Sequence, residues 1–131
     1  MTVNVLIISH ENVGAALLDA AVNTLGFCPL SADNLPIWGH CDPEAMLDLA
    51  RKKVEALDTG DGVLILTDLY GSTPSNIACR LGQETNANVI TGVNLPMLIR
   101  VLNYPKLSME ELVEKAQSGG REGIMDCKKF D

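Results

Sequence analysis

The sequence GVLILTDLYGSTP, residues 62–74, runs a buried strand directly into the start of a helix. Residues 62–67 form a short apolar run, which is typical of a strand buried on both faces. Thr73 and Pro74 then supply a helix N-cap followed by a proline, and they predict a helix that continues to about Glu84. The stretch is therefore one strand-to-helix unit of an α/β protein.

The same alternation continues on both sides of this stretch. Gly26 predicts the end of the first helix, Asp42-Pro43-Glu44 the start of the second, and Gly119-Gly120 the end of the last. The predicted strands are residues 3–9, 35–38, 62–67, 88–92 and 122–127. The predicted helices are residues 12–25, 42–57, 73–84 and 96–102, and a last one that opens with the capping box of residues 108–111.

Strands that alternate with helices predict a flavodoxin-like three-layer α/β sandwich with a mainly parallel sheet. The expected strand order is 2-1-3-4, which places the topological switch point between the first and third strands. Ligands of such sheets bind at the carboxyl ends of the strands beside the switch point. The loops that follow residues 3–9 and 62–67 are therefore the first place to look for a site.

Length and composition narrow the class of protein. A chain of 131 residues, 47% of them apolar and 21% charged, fits a single globular domain over residues 1–131. The net charge of -7 argues against nucleic-acid binding. The N-terminus has no basic region, and its apolar run is too short for a signal peptide or a membrane span. We therefore expect a cytoplasmic protein.

The cysteines give no sign of a metal centre. The four of them form no C-x-x-C pair and have no zinc spacing, which predicts reduced thiols. The glycine-containing loop after the third strand is not a Walker A motif, because no Gly-Lys-Ser/Thr follows its glycine. We predict no metal and no cofactor.

The two loops at the switch point carry complementary chemistry. The first reads SHEN, residues 9–12, and the second reads DLYGSTPSN, residues 68–76. Both lead into helix N-termini, which favour anions. His10 offers an imidazole whose one nitrogen can attack while the other donates to the carboxylate of Asp68. Gly71, Ser72 and Thr73 are the candidate phosphate cradle. Taken singly, these residues have ordinary structural explanations as surface, turn and capping residues.

At these residues the sequence resembles the mannose-type IIA component of the bacterial sugar phosphotransferase system (PTS). The resemblance covers nearly the whole chain. It rests on the His10 loop, on residues 62–76, on GVNLPML at 92–98 and on GREG at 120–123. The resemblance implies a phosphotransferase in which His10 is phosphorylated on Nε2 and Asp68 bonds its Nδ1.

The resemblance also implies the partners. The donor would be a phosphohistidine carrier protein (HPr), and the acceptor would be a IIB-type domain. Since the sequence ends at Asp131, we expect that acceptor on a separate chain, or a regulatory output in its place. Contact with a membrane would be indirect, through a permease complex. A homodimer is expected in which the short antiparallel strand at residues 122–127 is exchanged between subunits.

The sequence departs from the family at two places. Ser72 and Thr73 stand where the family usually has a second glycine and a serine. Glu11 stands where glycine commonly follows the histidine. A carboxylate beside a phosphoryl group is electrostatically unfavourable unless it points away.

Three other classes of protein were compared with these residues. A receiver domain phosphorylated on Asp68 has the same strand order, but it needs an acidic pair after the first strand and a suitably placed lysine, for which Lys128 is a poor candidate. A flavodoxin needs a phosphate loop richer in hydroxyls. A metal sensor could use His10, His40, Cys41 and Asp42, although Asp42 is better explained as a helix cap. Trp38 is expected in a partly buried core position, and its nearness to the first strand also allows a contact with a partner.

Overall fold

The computed structural model describes residues 2–129 and contains a four-stranded parallel sheet. Its strands pair in the order β2-β1-β3-β4, which confirms the predicted topology. The strands are β1 (Asn4–His10), β2 (Ala32–Ile37), β3 (Val63–Thr67) and β4 (Asn88–Thr91).

Five α-helices connect and cover these strands. They are α1 (Val13–Leu25), α2 (Pro43–Leu57), α3 (Thr73–Glu84), α4 (Leu95–Leu102) and α5 (Met109–Glu122). Gly26 ends α1 in a left-handed conformation with φ 85°, and the Asp42 side chain accepts from the Glu44 N–H at the start of α2, as predicted. The N-cap of α3 is Ser72, one residue before the predicted Thr73.

Each face of the sheet is covered by its own helices. Alternate residues of β1 and β3, Val5, Ile7, Leu64 and Leu66, pack with α1, α4 and α5. The residues between them point the other way and pack with α2 and α3, among them Leu6, Ile8 and Ile65. This three-layer arrangement explains why the central strands read as continuous apolar runs, since both of their faces are buried.

Strand β2 begins three residues earlier than the predicted residue 35. It lies at an edge of the sheet, and its first half is only partly buried. Asp33 and Asn34 therefore remain compatible with strand structure, and the Asp33 carboxylate accepts from Lys53 Nζ at 2.7 Å. Pro36 is tolerated here because an edge strand needs hydrogen bonds on one side only.

The prediction for the C-terminal region is wrong. Gly119 and Gly120 do not end the last helix, which continues to Glu122. A Cβ on Gly119 would lie 2.7 Å from Cβ of Arg100, and one on Gly120 would lie 3.0 Å from Cε of Met97. The two glycines thus allow close contact between α5 and α4 instead of breaking the helix.

The strand predicted at residues 122–127 is likewise absent from the described chain. Glu122 is the last residue of α5, Ile124–Asp126 are irregular, and a short 3-10 helix covers Cys127–Lys129. Helix α5 therefore includes the two glycines that were expected to form a flexible connection, and Gly123 is its C-cap.

We expect Gly119→Val to destabilise the protein by about 1–3 kcal/mol, since the new side chain would overlap Arg100 and force α4 and α5 apart. Glu114→Val places the same residue at an exposed position of the same helix and should cost only about 0.5 kcal/mol through helix propensity. Urea denaturation of both variants measures the difference. Equal stabilities would show that the glycine contact is not needed.

Within residues 2–129, no helix combines the length and the apolar character that crossing a bilayer requires.

Candidate functional site

The structure brings His10 and Asp68 into direct contact at the carboxyl ends of β1 and β3. Because Ile8 pairs with Thr67 in the sheet, the residues that follow these two strands lie side by side. His10 Nδ1 is 3.0 Å from Asp68 Oδ2, and the same oxygen accepts the backbone N–H of His10 at 3.1 Å. A carboxylate can only accept, so Nδ1 of the neutral ring carries the proton and Nε2 keeps its lone pair.

The recorded hydrogen bonds of the Asp68 carboxylate are all with His10. Its side chain is 15% exposed, whereas that of His10 is 43% exposed. Oδ2 receives both bonds from His10, while Oδ1 is buried and has no partner among the described residues. The imidazole is thus held from inside the protein and open on its other side, as expected for a group that reacts with a second molecule.

The backbone around His10 is held on both sides. Ser9 Oγ accepts the Gly14 N–H at 2.7 Å and ties the start of α1 to the end of β1. This contact needs glycine, because a Cβ at residue 14 would lie 2.8 Å from both Ser9 Oγ and Ile7 Cγ2. On the other side the Glu11 N–H donates to the Ile37 carbonyl at 3.1 Å, which prolongs the pairing of β1 with β2.

A cavity of about 260 Å³ opens beside the His10 ring. The first residues of α2 and α3 contribute to its wall, so the positive ends of two helix dipoles face it. Its lining, all of it in the described part of the chain, contains no lysine and no arginine. The lining includes His10, Glu11, Trp38, Cys41, Thr73 and Pro74.

The predicted phosphate cradle is only partly assembled around this cavity. Thr73 lines it, but Gly71 and Ser72 lie outside its lining, in the loop that leads to α3. Gly71 has φ 81° and makes the turn. The Ser72 N–H donates to Ser75 Oγ at 3.0 Å, and Ser72 Oγ donates to the Leu69 carbonyl. Ser72 is therefore engaged in capping α3.

Exposed apolar side chains occupy the loops and helix start around His10, and sequence reasoning missed most of them. Val13, Leu69 and Tyr70 are 43%, 59% and 79% exposed. Trp38, which was expected to be partly buried, is 39% exposed and lines the His10 cavity. The signal was available for Leu69 and Tyr70, since they are large apolar residues in a strand-to-helix loop. Such a surface is typical of a protein-docking face.

The alternative metal site is not assembled. Asp42 caps α2, and among residues 2–128 no three His, Cys, Asp or Glu side chains are placed to hold a metal ion. The four cysteines are free.

Fold and site together define a doubly wound α/β protein with a histidine–carboxylate pair at its topological switch point. The family model EIIA-man, described as "PTS system fructose IIA component", matches residues 4–117. The chain therefore belongs to the mannose-type family of IIA components of the sugar phosphotransferase system. Membership assigns it a role in sugar phosphotransfer.

Individual relatives agree with this assignment. The chain is 33% identical over 135 residues to the "PTS system mannose-specific EIIAB component" of Escherichia coli (strain K12), which covers 98% of the chain but only 40% of that relative. It is 26% identical to the "Transcriptional regulatory protein LevR" of Bacillus subtilis (strain 168), over 86% of the chain and 12% of the relative. The solved EIIA from Streptococcus agalactiae has the same fold, with a TM-score of 0.84, 22% identity and coverage of 98% and 99% of the two chains.

Proposed function

We propose that this chain accepts a phosphoryl group on Nε2 of His10 from an HPr-like phosphohistidine carrier. The observation that supports this most directly is the 3.0 Å contact between His10 Nδ1 and Asp68 Oδ2, which leaves Nε2 as the nucleophile. A receiver-type phosphorylation of Asp68 is not favoured, because that carboxylate is largely buried and bonded to His10.

In the proposed step, the lone pair of Nε2 attacks the phosphorus of the donor's phosphohistidine. The bond between phosphorus and the donor nitrogen breaks, and its electron pair returns to the donor ring. The His10 ring then carries a proton on Nδ1 and the phosphoryl group on Nε2. Asp68 stabilises the positive character of this ring through the same hydrogen bond. Transfer onward is the reverse of this step with a second partner.

The phosphoryl group would be bound mainly by Thr73 and by the N-termini of α2 and α3, because these line the cavity with His10. In this proposal Gly71 and Ser72 act indirectly: Gly71 makes the turn and Ser72 caps α3, and together they set the position of Thr73.

The acceptor of the phosphoryl group is proposed to be a IIB-type domain, or the phosphorylation state is itself the signal. Relatives of both kinds are similar to this chain, since one is named an EIIAB component and another a transcriptional regulatory protein. We place the exchange in the cytoplasm, with contact to a membrane only through a permease complex. The partner that gains phosphate from the labelled protein in a lysate would distinguish the two outputs.

The proposal is tested by incubating the protein with a phosphohistidine carrier, its kinase and phosphoenolpyruvate. Intact-mass measurement should show the gain of one phosphoryl group. The linkage should be labile in acid and stable in alkali, as expected for a phosphoramidate. An alkali-labile acyl phosphate on Asp68 would contradict the proposal and support a receiver domain. If the protein gains no phosphoryl group at all, the proposed transfer to His10 is wrong.

We also propose that the protein is a homodimer in which residues 124–129 cover strand β4 of a second copy. Strand β4 lies at the edge of the sheet and carries neither a charged residue nor a proline to protect that edge. A cleft of about 470 Å³ runs beside it. Ile124 and Met125 are 79% and 61% exposed and could be buried by such pairing.

Sedimentation of the full chain should therefore give about twice the mass of the 14.1 kDa protomer. A chain cut after Gly123 keeps α5 intact and should shift towards the monomer, because it lacks Ile124 and Met125. A monomeric full chain at micromolar concentration would contradict the dimer without touching the chemistry of His10.

A further inference from the structure

Glu11, the residue after His10, has an unusual backbone conformation. Its φ is 47°, and among the described residues it is the one non-glycine residue with positive φ. The left-handed region is unfavourable for a residue with a Cβ, and glycine would occupy it without strain. The Glu11 N–H bond to the Ile37 carbonyl holds this conformation in place. Strain kept beside a reactive group points to a functional reason for the side chain.

The Glu11 carboxylate is unpaired within the described part of the chain. Glu11 is exposed and lines the same cavity as His10, and it forms no ion pair with any described lysine or arginine. The cavity lining contains no cationic side chain. Glu11 follows His10 directly in the chain and lines the same cavity. A phosphoryl group on His10, which carries nearly two negative charges at neutral pH, would therefore add to the charge of a carboxylate that no described cation pairs with.

We propose that Glu11 sets the phosphoryl-transfer potential of the protein. Its charge raises the free energy of the phosphorylated form relative to the free form, so the phosphoryl group passes onward more readily and is held less tightly. Asp68 does not have this effect, because its hydrogen bond to Nδ1 favours the positive ring that forms on phosphorylation. The inference rests on the proposed phosphorylation of His10 and goes beyond it.

The effect is measured on the equilibrium of phosphoryl exchange with the carrier protein. An equilibrium constant between separated proteins depends on the free and phosphorylated forms alone. It is therefore insensitive to any contact that Glu11 makes with the partner inside the transient complex, although such a contact would change the rates. The phosphorylated fraction of each protein is read by intact mass after the exchange has reached equilibrium from both directions.

Two variants separate charge from strain. Glu11→Gln removes the charge and keeps the left-handed side chain, whereas Glu11→Gly removes both. Each should shift the equilibrium towards the phosphorylated form by about fivefold at low ionic strength. At about 1 M salt the shift should largely disappear, because the screening length falls to about 3 Å.

Glu55→Gln is the matched control. Glu55 is also exposed and also lies outside the ion pairs of the described chain, but it is near the end of α2, where the Leu57 carbonyl accepts from Asn4. That is the end of the sheet opposite to His10, since Asn4 is the first residue of β1 and His10 the last. The same loss of one charge should leave the equilibrium constant unchanged there.

Three outcomes would overturn the inference. The first is an equilibrium constant for Glu11→Gln equal to that of Glu55→Gln, and the second is a shift towards the unphosphorylated form. The third is a shift in Glu11→Gly alone, which would assign the effect to strain and not to charge. In all three the wild-type protein still takes up phosphate, so the proposed function stands. A wild-type protein that takes up none overturns both.

Discussion

Replacing His10 with alanine is expected to abolish phosphoryl uptake completely. The variant lacks the imidazole that Asp68 orients and whose side chain is 43% exposed. No other imidazole can replace it, because the chain has a single further histidine, His40, which lies outside the lining of the cavity. Uptake from a carrier protein, its kinase and phosphoenolpyruvate is followed by intact mass.

His40→Ala is the matched control and should be phosphorylated like the wild type, since His40 is exposed and has no described side-chain hydrogen bond. Circular dichroism should show that His10→Ala keeps the fold, because residue 10 is the last of β1 and the core lies deeper in the sheet. An alanine variant that still gains phosphate at the normal rate would mean that another residue is the acceptor.

The second large effect is expected for Asp68→Asn. The amide has nearly the shape of the carboxylate but no charge with which to stabilise the ring that forms when His10 accepts phosphate. It can also turn its NH₂ group towards Nδ1, which would favour the wrong tautomer. Losing a charge-assisted hydrogen bond costs about 1.5–3 kcal/mol, so the transfer rate should fall roughly tenfold to a hundredfold.

Stopped-flow or quenched-flow measurement of single-turnover transfer from the phosphorylated carrier gives this rate. Asp19→Asn makes the same change at an exposed position of α1 and should transfer normally. The isolated step should also be indifferent to EDTA, because a phosphohistidine donor needs no magnesium. Unchanged kinetics in Asp68→Asn would remove Asp68 from the mechanism, and inhibition by EDTA would point to a receiver-type site.

Much of the fold could be predicted because its signals are local. The αL glycine Gly26, the cap Asp42 and the capping box at Ser108 each act within one turn of a helix, and each is where the sequence places it. The apolar run of β3 requires burial on both faces, and that requirement implies helices on both sides. Together with the rule that parallel crossovers are right-handed, these signals left few topologies, and the flavodoxin-like order 2-1-3-4 predicted among them is confirmed.

The errors come from residues whose role depends on a distant neighbour. Gly119 and Gly120 look like a helix end in the sequence, but their neighbours across the contact, Arg100 and Met97, make them a site of close packing inside α5. In the same way, Asp33 and Asn34 look like loop residues, but they belong to the first half of β2, which tolerates them because that strand lies at the sheet edge. The local sequence shows neither the contact of α5 with α4 nor the edge position of β2.

In the site, too, some features follow from local sequence and others from tertiary contacts. The sequence by itself determined which chemistry is available, since the imidazole of His10, the carboxylate of Asp68 and a helix start at residues 72–74 follow from residue types and local spacing. Only the tertiary structure decided how they are used. Residues 58 positions apart meet because β1 and β3 are neighbours in register, and that contact leaves Nε2 free. The left-handed conformation of Glu11 also depends on a distant residue, because the bond between its N–H and the Ile37 carbonyl on β2 holds it. The sequence showed only that Glu11 stands where glycine commonly follows the histidine.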